Sequence, residues 1–204
     1  MTLRILFLWL VIAFPAAAAT PTLLVLGDSL SAGYGLDTGQ SWVDQLKPQL
    51  EQEIGSSVEI LNASISGDTS AGGLSRLPGL MKRHQPDYVL IALGANDGLR
   101  GLPLDGLRDN IEAMIKLIRD HEATPLYAGI ELPRNYGGPY TRAFRATQDQ
   151  VAADTGVAYL DFLLEPIALD RSQFQDDGLH PTREAQPAIR DHVAAFLVDQ
   201  LTEK

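Results

Sequence analysis

The sequence predicts an α/β fold, a three-layer α/β/α domain with helices on both faces of a parallel sheet. Three observations predict it. Short apolar runs alternate along the chain with segments whose apolar residues recur at three- and four-residue spacing. The short runs are apolar almost without a break, as strands covered on both faces must be. The first three of them end abruptly in loops rich in Gly, Asp, Asn and Ser, at the carboxyl ends of strands, where open parallel sheets bind ligands.

Taken in order, the first strand covers residues 23–26, bounded by Pro21 and Gly27. It stops at Gly27-Asp28-Ser29, where Gly27 is expected to let the backbone turn and Ser29 to project past the sheet edge. Ser29 reads either as a nucleophile or as the cap of the turn that follows. Trp42, Val43, Leu46, Leu50 and Ile54 mark an amphipathic helix, which Pro48 should kink or interrupt. Residues 58–61 form a second strand, which runs into Asn62-Ala63-Ser64-Ile65-Ser66-Gly67-Asp68-Thr69-Ser70 and then a helix from about 72 to 84. Residues 87–93 are the third and most apolar strand, ending in Gly94-Ala95-Asn96-Asp97-Gly98.

Leu107, Ile111, Met114, Ile115 and Ile118 mark the next helix. The fourth strand is expected over 126–132, closed by Pro133 and a loop to Pro139. A helix with Phe144 and Val151 on its inner face leads to a fifth strand over 157–160. An acidic loop, 170–181, precedes a last helix bearing Ile189, Val193, Phe196, Leu197 and Leu201. No repeat or linker interrupts this alternation, so one domain is expected.

Residues 1–19 read as a signal peptide and not as part of the fold. Arg4 supplies the positive start, residues 5–14 the apolar stretch, and Ala17-Ala18-Ala19 the small-residue cleavage site. The domain then spans 20–204, and a periplasmic or secreted protein is expected. Export commonly brings disulfides, yet the chain has no Cys, so thiol chemistry and Cys-ligated metal sites are excluded and stability rests on packing. Without Arg4, 15 basic side chains face 26 acidic ones, a net charge of −11. Such a surface repels nucleic acid and anionic membranes, and no later segment approaches the length of a membrane span. Neither nucleic acid nor stable membrane insertion is expected, and the expected state is a monomer.

The glycine loops invite a nucleotide reading. Residues 27–33 do not follow G-x-G-x-x-G, however, and no G-x-x-x-x-G-K-[ST] is present. The stronger signal is Gln175-Asp176-Asp177-Gly178-Leu179-His180-Pro181. One tight turn can bring the carboxylate of Asp177 to the His180 imidazole, fixing its tautomer and leaving the other ring nitrogen as a base. Asp176 is nearly as well placed, and spacing does not choose between them. A metal site or a capped loop is the alternative. His84 and His121 sit near helix C-termini, and His192 flanks the core stripe of the last helix. Donors for an oxyanion are available in the Gly67 amide and the Asn96 side chain.

Gly27-Asp28-Ser29-Leu30, Gly67, Gly94-Ala95-Asn96-Asp97 and Asp177-Gly178-Leu179-His180-Pro181 resemble, in order, the four blocks of the SGNH (GDSL) hydrolases. The stretches 62–70, 98–101 and 175–181 resemble the periplasmic thioesterase, lysophospholipase and arylesterase branch of that family. The resemblance implies a five-stranded parallel sheet in flavodoxin-like order. It makes Ser29 the nucleophile, His180 the general base and Asp177, not Asp176, the acid that orients it. The Ser29 amide, the Gly67 amide and the Asn96 side chain become the oxyanion hole. Without the family, Gly67-Asp68-Thr69-Ser70 echoes Gly27-Asp28-Ser29 closely enough that Thr69 or Ser70 competes as nucleophile.

The expectation is therefore an exported serine esterase acting on single-chain acyl esters, thioesters or lysophospholipids through an acyl-enzyme, with no metal or organic cofactor. Alternatives are a carbohydrate acetylesterase, which would want a short polar pocket, and an inactive binding module. Just past Asn96, the segment 97–104 carries three leucines. Leu99 and Leu102 are read as lining an acyl groove, the alternative being that they fold back on the next helix.

Overall fold

The computed structural model describes residues 20–202; the expected signal peptide, 1–19, lies outside the described residues. Five strands pair in parallel: β1 (Thr22–Gly27), β2 (Glu59–Asn62), β3 (Tyr88–Ala92), β4 (Thr124–Ala128) and β5 (Ala158–Leu160). Their order is β2-β1-β3-β4-β5, the flavodoxin-like order the resemblance implies. The order reverses at β1, which lies between β2 and β3. A crevice therefore opens beyond the carboxyl ends of β1 and β3.

The central strands carry the burial that their apolar runs predict. Leu23, Leu24, Val25 and Leu26 of β1 and Val89, Leu90 and Ile91 of β3 have no exposed surface. Helices cover both faces. Helix α2 (Trp42–Ile54) packs on α7 (Gln186–Thr202), while α5 (Leu104–Asp120) packs between α3 (Ser70–His84) and α6 (Gly138–Thr155). Two short helices, α1 (Ser29–Ala32) and α4 (Ala95–Leu99), follow β1 and β3 directly.

Of the two outcomes expected at Pro48, a kink or an interruption, the interruption does not occur; α2 is continuous. A helix-interior proline costs about 3 kcal/mol. Burial of Trp42, Val43, Leu46 and Leu50 contributes on the order of 1.5–3 kcal/mol each and outweighs it. A capping box also holds the start of the helix, with the Asp44 amide donating to Ser41 Oγ and the Ser41 amide to the Asp44 carboxylate.

The fourth strand is displaced from the expected 126–132, and β4 ends at Ala128. Beyond it, the Ile130 amide and carbonyl are both taken by the buried side chain of Gln148, so no ladder continues. Ile130 and Leu132 are still buried, with Glu131 exposed between them, but they belong to a loop and not to a strand. Helix α3 likewise starts two residues before the expected position, because Thr69 caps it by accepting from the Gly72 amide. The predicted leucine loop is in part helical, since α4 runs to Leu99.

Candidate active site

Each polar loop singled out in the sequence does lie beyond a strand's carboxyl end, and the folding of each is locally explicable. After β1, Asp28 is the N-cap of α1, its Oδ1 accepting from the Leu30 amide at 3.0 Å. The capping role open to Ser29 therefore falls to its neighbour. Gly27 is needed for space and not for the turn: a Cβ there would lie 2.8 Å from the Ser31 side chain and 2.9 Å from Ser64 Oγ. Its φ is not among the positive ones, so the expected reason for this glycine is corrected.

Ser29 is thereby presented at the N-terminal turn of α1, half-buried, with its Oγ 2.9 Å from His180 Nε2. His180 reaches it from the other end of the chain, on the turn before α7. The other ring nitrogen, Nδ1, lies 2.6 Å from Asp177 Oδ2. Asp177 Oδ1 accepts from the Leu179 amide at 2.8 Å and the His180 amide at 3.0 Å. Burial raises the Asp177 pKa, but the bonds donated by the His180 ring and by the two amides outweigh it and bring the carboxyl down to about 2. An ionised Asp177 can only accept, so the proton between them sits on Nδ1 and Nε2 is free to accept from the Ser29 hydroxyl. The Asp176 carboxylate makes no hydrogen bond among the described residues; only its carbonyl is used, by Arg171.

The competing echo, Thr69-Ser70, lies in different surroundings. Ser70 is fully buried, its Oγ donating to Asp97 Oδ1 at 2.6 Å and accepting from Asn110 at 2.9 Å, while its amide donates to Asp97 Oδ2. No histidine is near it in that network, and Thr69 is spent as a cap. Asp97 is itself 3% exposed, so this cluster ties α4 to the start of α3.

Helix α4 connects to three neighbours at once. Asn96 Nδ2 donates to Asp28 Oδ2 at 3.2 Å, Asp97 holds Ser70, and Arg100, just beyond the helix, donates to the Gly67 carbonyl at 2.7 Å. Ser29, Gly67 and Asn96 all line one cavity of about 850 Å³, together with His180. Asp28 is fully buried, and burial pushes its carboxyl up to about 6 against the bonds from the Leu30 amide and Asn96.

The apolar walls of the cavity include Leu30, Leu99, Ile130, Leu132, Phe162 and Phe174. Leu99 thus lies where the sequence reading placed it. Leu102 does not: it is 38% exposed and lies outside the cavity wall. Two residues that matter to the site were not singled out. The Tyr34 ring stacks obliquely on His180, with centroids 4.3 Å apart, and Arg171 donates to the carbonyls of Phe174, Gln175 and Asp176. The Tyr34–His180 contact crosses loops, which one-dimensional spacing cannot show, whereas Arg171 acts within its own loop, on carbonyls three to five residues on. His121 bonds to the Leu117 carbonyl and His192 to the carbonyl of Phe162, a residue of the cavity wall, and neither histidine lines the cavity.

Residues 25–187 match the GDSL-like lipase/acylhydrolase family. The thioesterase 1/protease 1/lysophospholipase L1 of Escherichia coli K12 is 44% identical over 191 residues, 94% of this chain and 90% of the relative. An arylesterase of Vibrio mimicus is 45% identical over 200 residues, 98% of this chain and all of the relative. Among solved structures, the psychrotrophic esterase EstA from Pseudoalteromonas sp., inhibited by monoethylphosphonate, superposes with a TM-score of 0.84 at 40% identity, covering 89% of this chain and 99% of that one. The chain belongs to the GDSL-like lipase/acylhydrolase family and is a serine hydrolase acting on ester bonds.

Proposed function

We propose that the protein hydrolyses single-chain acyl esters and thioesters through a Ser29–His180–Asp177 triad. The observation that carries this is the continuous chain of hydrogen bonds from Asp177 through His180 to Ser29, opening into an apolar cavity. Ser29 Oγ attacks the acyl carbonyl as His180 Nε2 takes its proton. The proton passes to the leaving alcohol or thiol as the carbon–oxygen or carbon–sulfur bond breaks. Water, deprotonated by His180, then releases the acid and restores Ser29.

The developing oxyanion would be held by three donors: the Ser29 amide in the first turn of α1, the Gly67 amide, and the Asn96 Nδ2 hydrogen not given to Asp28. Four of the cavity walls (Leu132, Phe162, Leu164 and Phe174) come from the loops after β4 and β5. A cavity of this size and apolar lining suits an acyl chain and favours it over the acetyl group of a carbohydrate ester. The thioesterase, lysophospholipase and arylesterase names of the relatives support the same substrate range.

Export is part of the reading. It rests on the leader-like residues 1–19, and no described helix is long and apolar enough to cross a membrane. N-terminal sequencing of the protein recovered outside the cytoplasm should begin at Thr20; an intact Met1 there would count against cleavage.

The decisive experiment is Ser29→Ala assayed on p-nitrophenyl esters, with phosphonate labelling of the wild type. Loss of hydrolysis and labelling at Ser29 alone are expected. Substantial activity in a clean preparation of Ser29→Ala, or labelling at another serine, would overturn the assignment.

A further inference from the structure

We propose that Gln175 is a positioning residue that fastens the Asp177–His180 turn to the loop following Ser29, setting the distance between base and nucleophile. This rests on the triad reading above.

The turn is first stapled to itself. Phe174 and Pro181 form an antiparallel bridge, the Gln175 amide donates to the His180 carbonyl at 2.8 Å, and the Gly178 amide donates to the Gln175 carbonyl at 2.9 Å. Arg171 fills the outside of the turn by donating to three successive carbonyls. These bonds make the turn stiff, but none of them sets where it stands relative to β1.

The Gln175 side chain supplies that tie. Its Nε2 donates to the Pro181 carbonyl at 3.0 Å, beside His180, and to the Tyr34 carbonyl at 2.8 Å, in the loop just after α1. One planar amide therefore uses both hydrogens to join segments 141 residues apart. Gln186 makes a comparable tie farther off, between Thr182 and Trp42.

Gly35 is shaped to receive this amide. Its φ is +74°, and a Cβ there would fall 2.4 Å from Gln175 Oε1 and 3.0 Å from both Cδ and Nε2. Any side chain at 35 must push the Gln175 amide out of its place. The two positions are thus coupled, and the coupling gives a test that ordinary destabilisation does not mimic.

The experiment compares Gln175→Ala, the similarly sized Gln175→Met, Gly35→Ala and the double variant Gly35→Ala/Gln175→Ala. Each is measured for kcat and KM on a short p-nitrophenyl ester, for the rate of Ser29 phosphonylation, and for its melting temperature. Small misplacements of a base cost up to about a hundredfold in rate. We expect kcat and phosphonylation to fall together by roughly tenfold or more in each single variant, with KM little changed and the fold intact. In the double variant the rate loss that Gly35→Ala adds should shrink on the Gln175→Ala background, because the side chain it displaces is gone; the strain of an Ala at φ +74° remains and is read in the melting temperature. Gln175→Met should behave as Gln175→Ala, since it fills the space without donors.

A folded Gln175→Ala or Gln175→Met with wild-type kcat and phosphonylation rate would overturn the proposal. So would losses in the double variant that simply multiply. If the phosphonate instead labels a residue other than Ser29 in the wild type, the triad reading fails first and the clamp falls with it.

Discussion

Asn96 Nδ2 donates to Asp28 Oδ2 at 3.2 Å between the ends of β3 and β1, and Asn96 lines the same cavity as Ser29 and His180. A donor aimed in advance costs no reorganisation when charge develops on the substrate. Asn96→Ala should therefore lower kcat by on the order of a hundredfold or more, with little change in KM. Steady-state kinetics on a soluble ester check this, and a change confined to KM would make Asn96 a ground-state contact instead.

The two carboxyls of the site shift in opposite directions, so stability should depend on pH in two separate windows. Asp28 has a folded pKa raised to about 6, so its ionised form opposes folding above that pH. Relative to Asp28→Asn, the wild type should gain stability as pH falls from about 7 towards 4. Asp177 has a folded pKa lowered to about 2, so its contribution is present above the ordinary carboxylate range and is lost as pH falls towards 2. Denaturant midpoints against pH for the wild type, Asp28→Asn and Asp177→Asn read both windows. A wild-type minus Asp28→Asn difference that stays flat from pH 4 to 7 would contradict the first.

Asp177→Asn should cut the rate heavily, by about 10⁴-fold where the carboxylate governs the tautomer of the base. Asp176→Asn should change it by less than about threefold, because that carboxylate has no partner among the described residues. Equal losses in the two variants would show a shared role.

Chain-length selection should separate the two leucines. Each methylene buried in the cavity contributes about 0.8 kcal/mol, close to a fourfold rise in kcat/KM per carbon until the cavity is full. Leu99→Ser should flatten that rise and leave acetyl esters nearly unchanged. Leu102→Ser should follow the wild type along the whole acetyl to palmitoyl series. Equal flattening by both would place Leu102 in the path of the acyl chain.

Much of this molecule can be read without coordinates. Apolar runs such as 23–26 and 87–93, alternating with helical segments, fit strands covered on both faces, and the glycine-broken loops behind them therefore gather on one rim. Gly27-Asp28-Ser29, Asn96 and Asp177-His180 stand out because their chemistry is local: a cap, a turn and an i,i+3 pair are set by neighbours in sequence. The resemblance then chose Asp177 over Asp176, a choice the spacing left open; the Asp177 carboxylate lies 2.6 Å from His180 Nδ1.

Other features exist only in three dimensions. Pro48 is tolerated because α2 buries enough apolar surface to outweigh one lost hydrogen bond, a balance invisible to local propensity. The fourth strand stops early because the buried amide of Gln148, from a helix further along the chain, takes the Ile130 backbone groups. Leu99 and Leu102 differ by three positions and look alike in sequence, yet the turn after α4 sends one to the cavity and the other to solvent. Sequence by itself determined the elements and the rim and narrowed the candidates for the reactive residues, since these follow from periodicity and from neighbouring side chains. The tertiary structure decided which serine meets the histidine, which carboxylate is buried and what ties the loops together, because those contacts join segments that lie far apart along the chain.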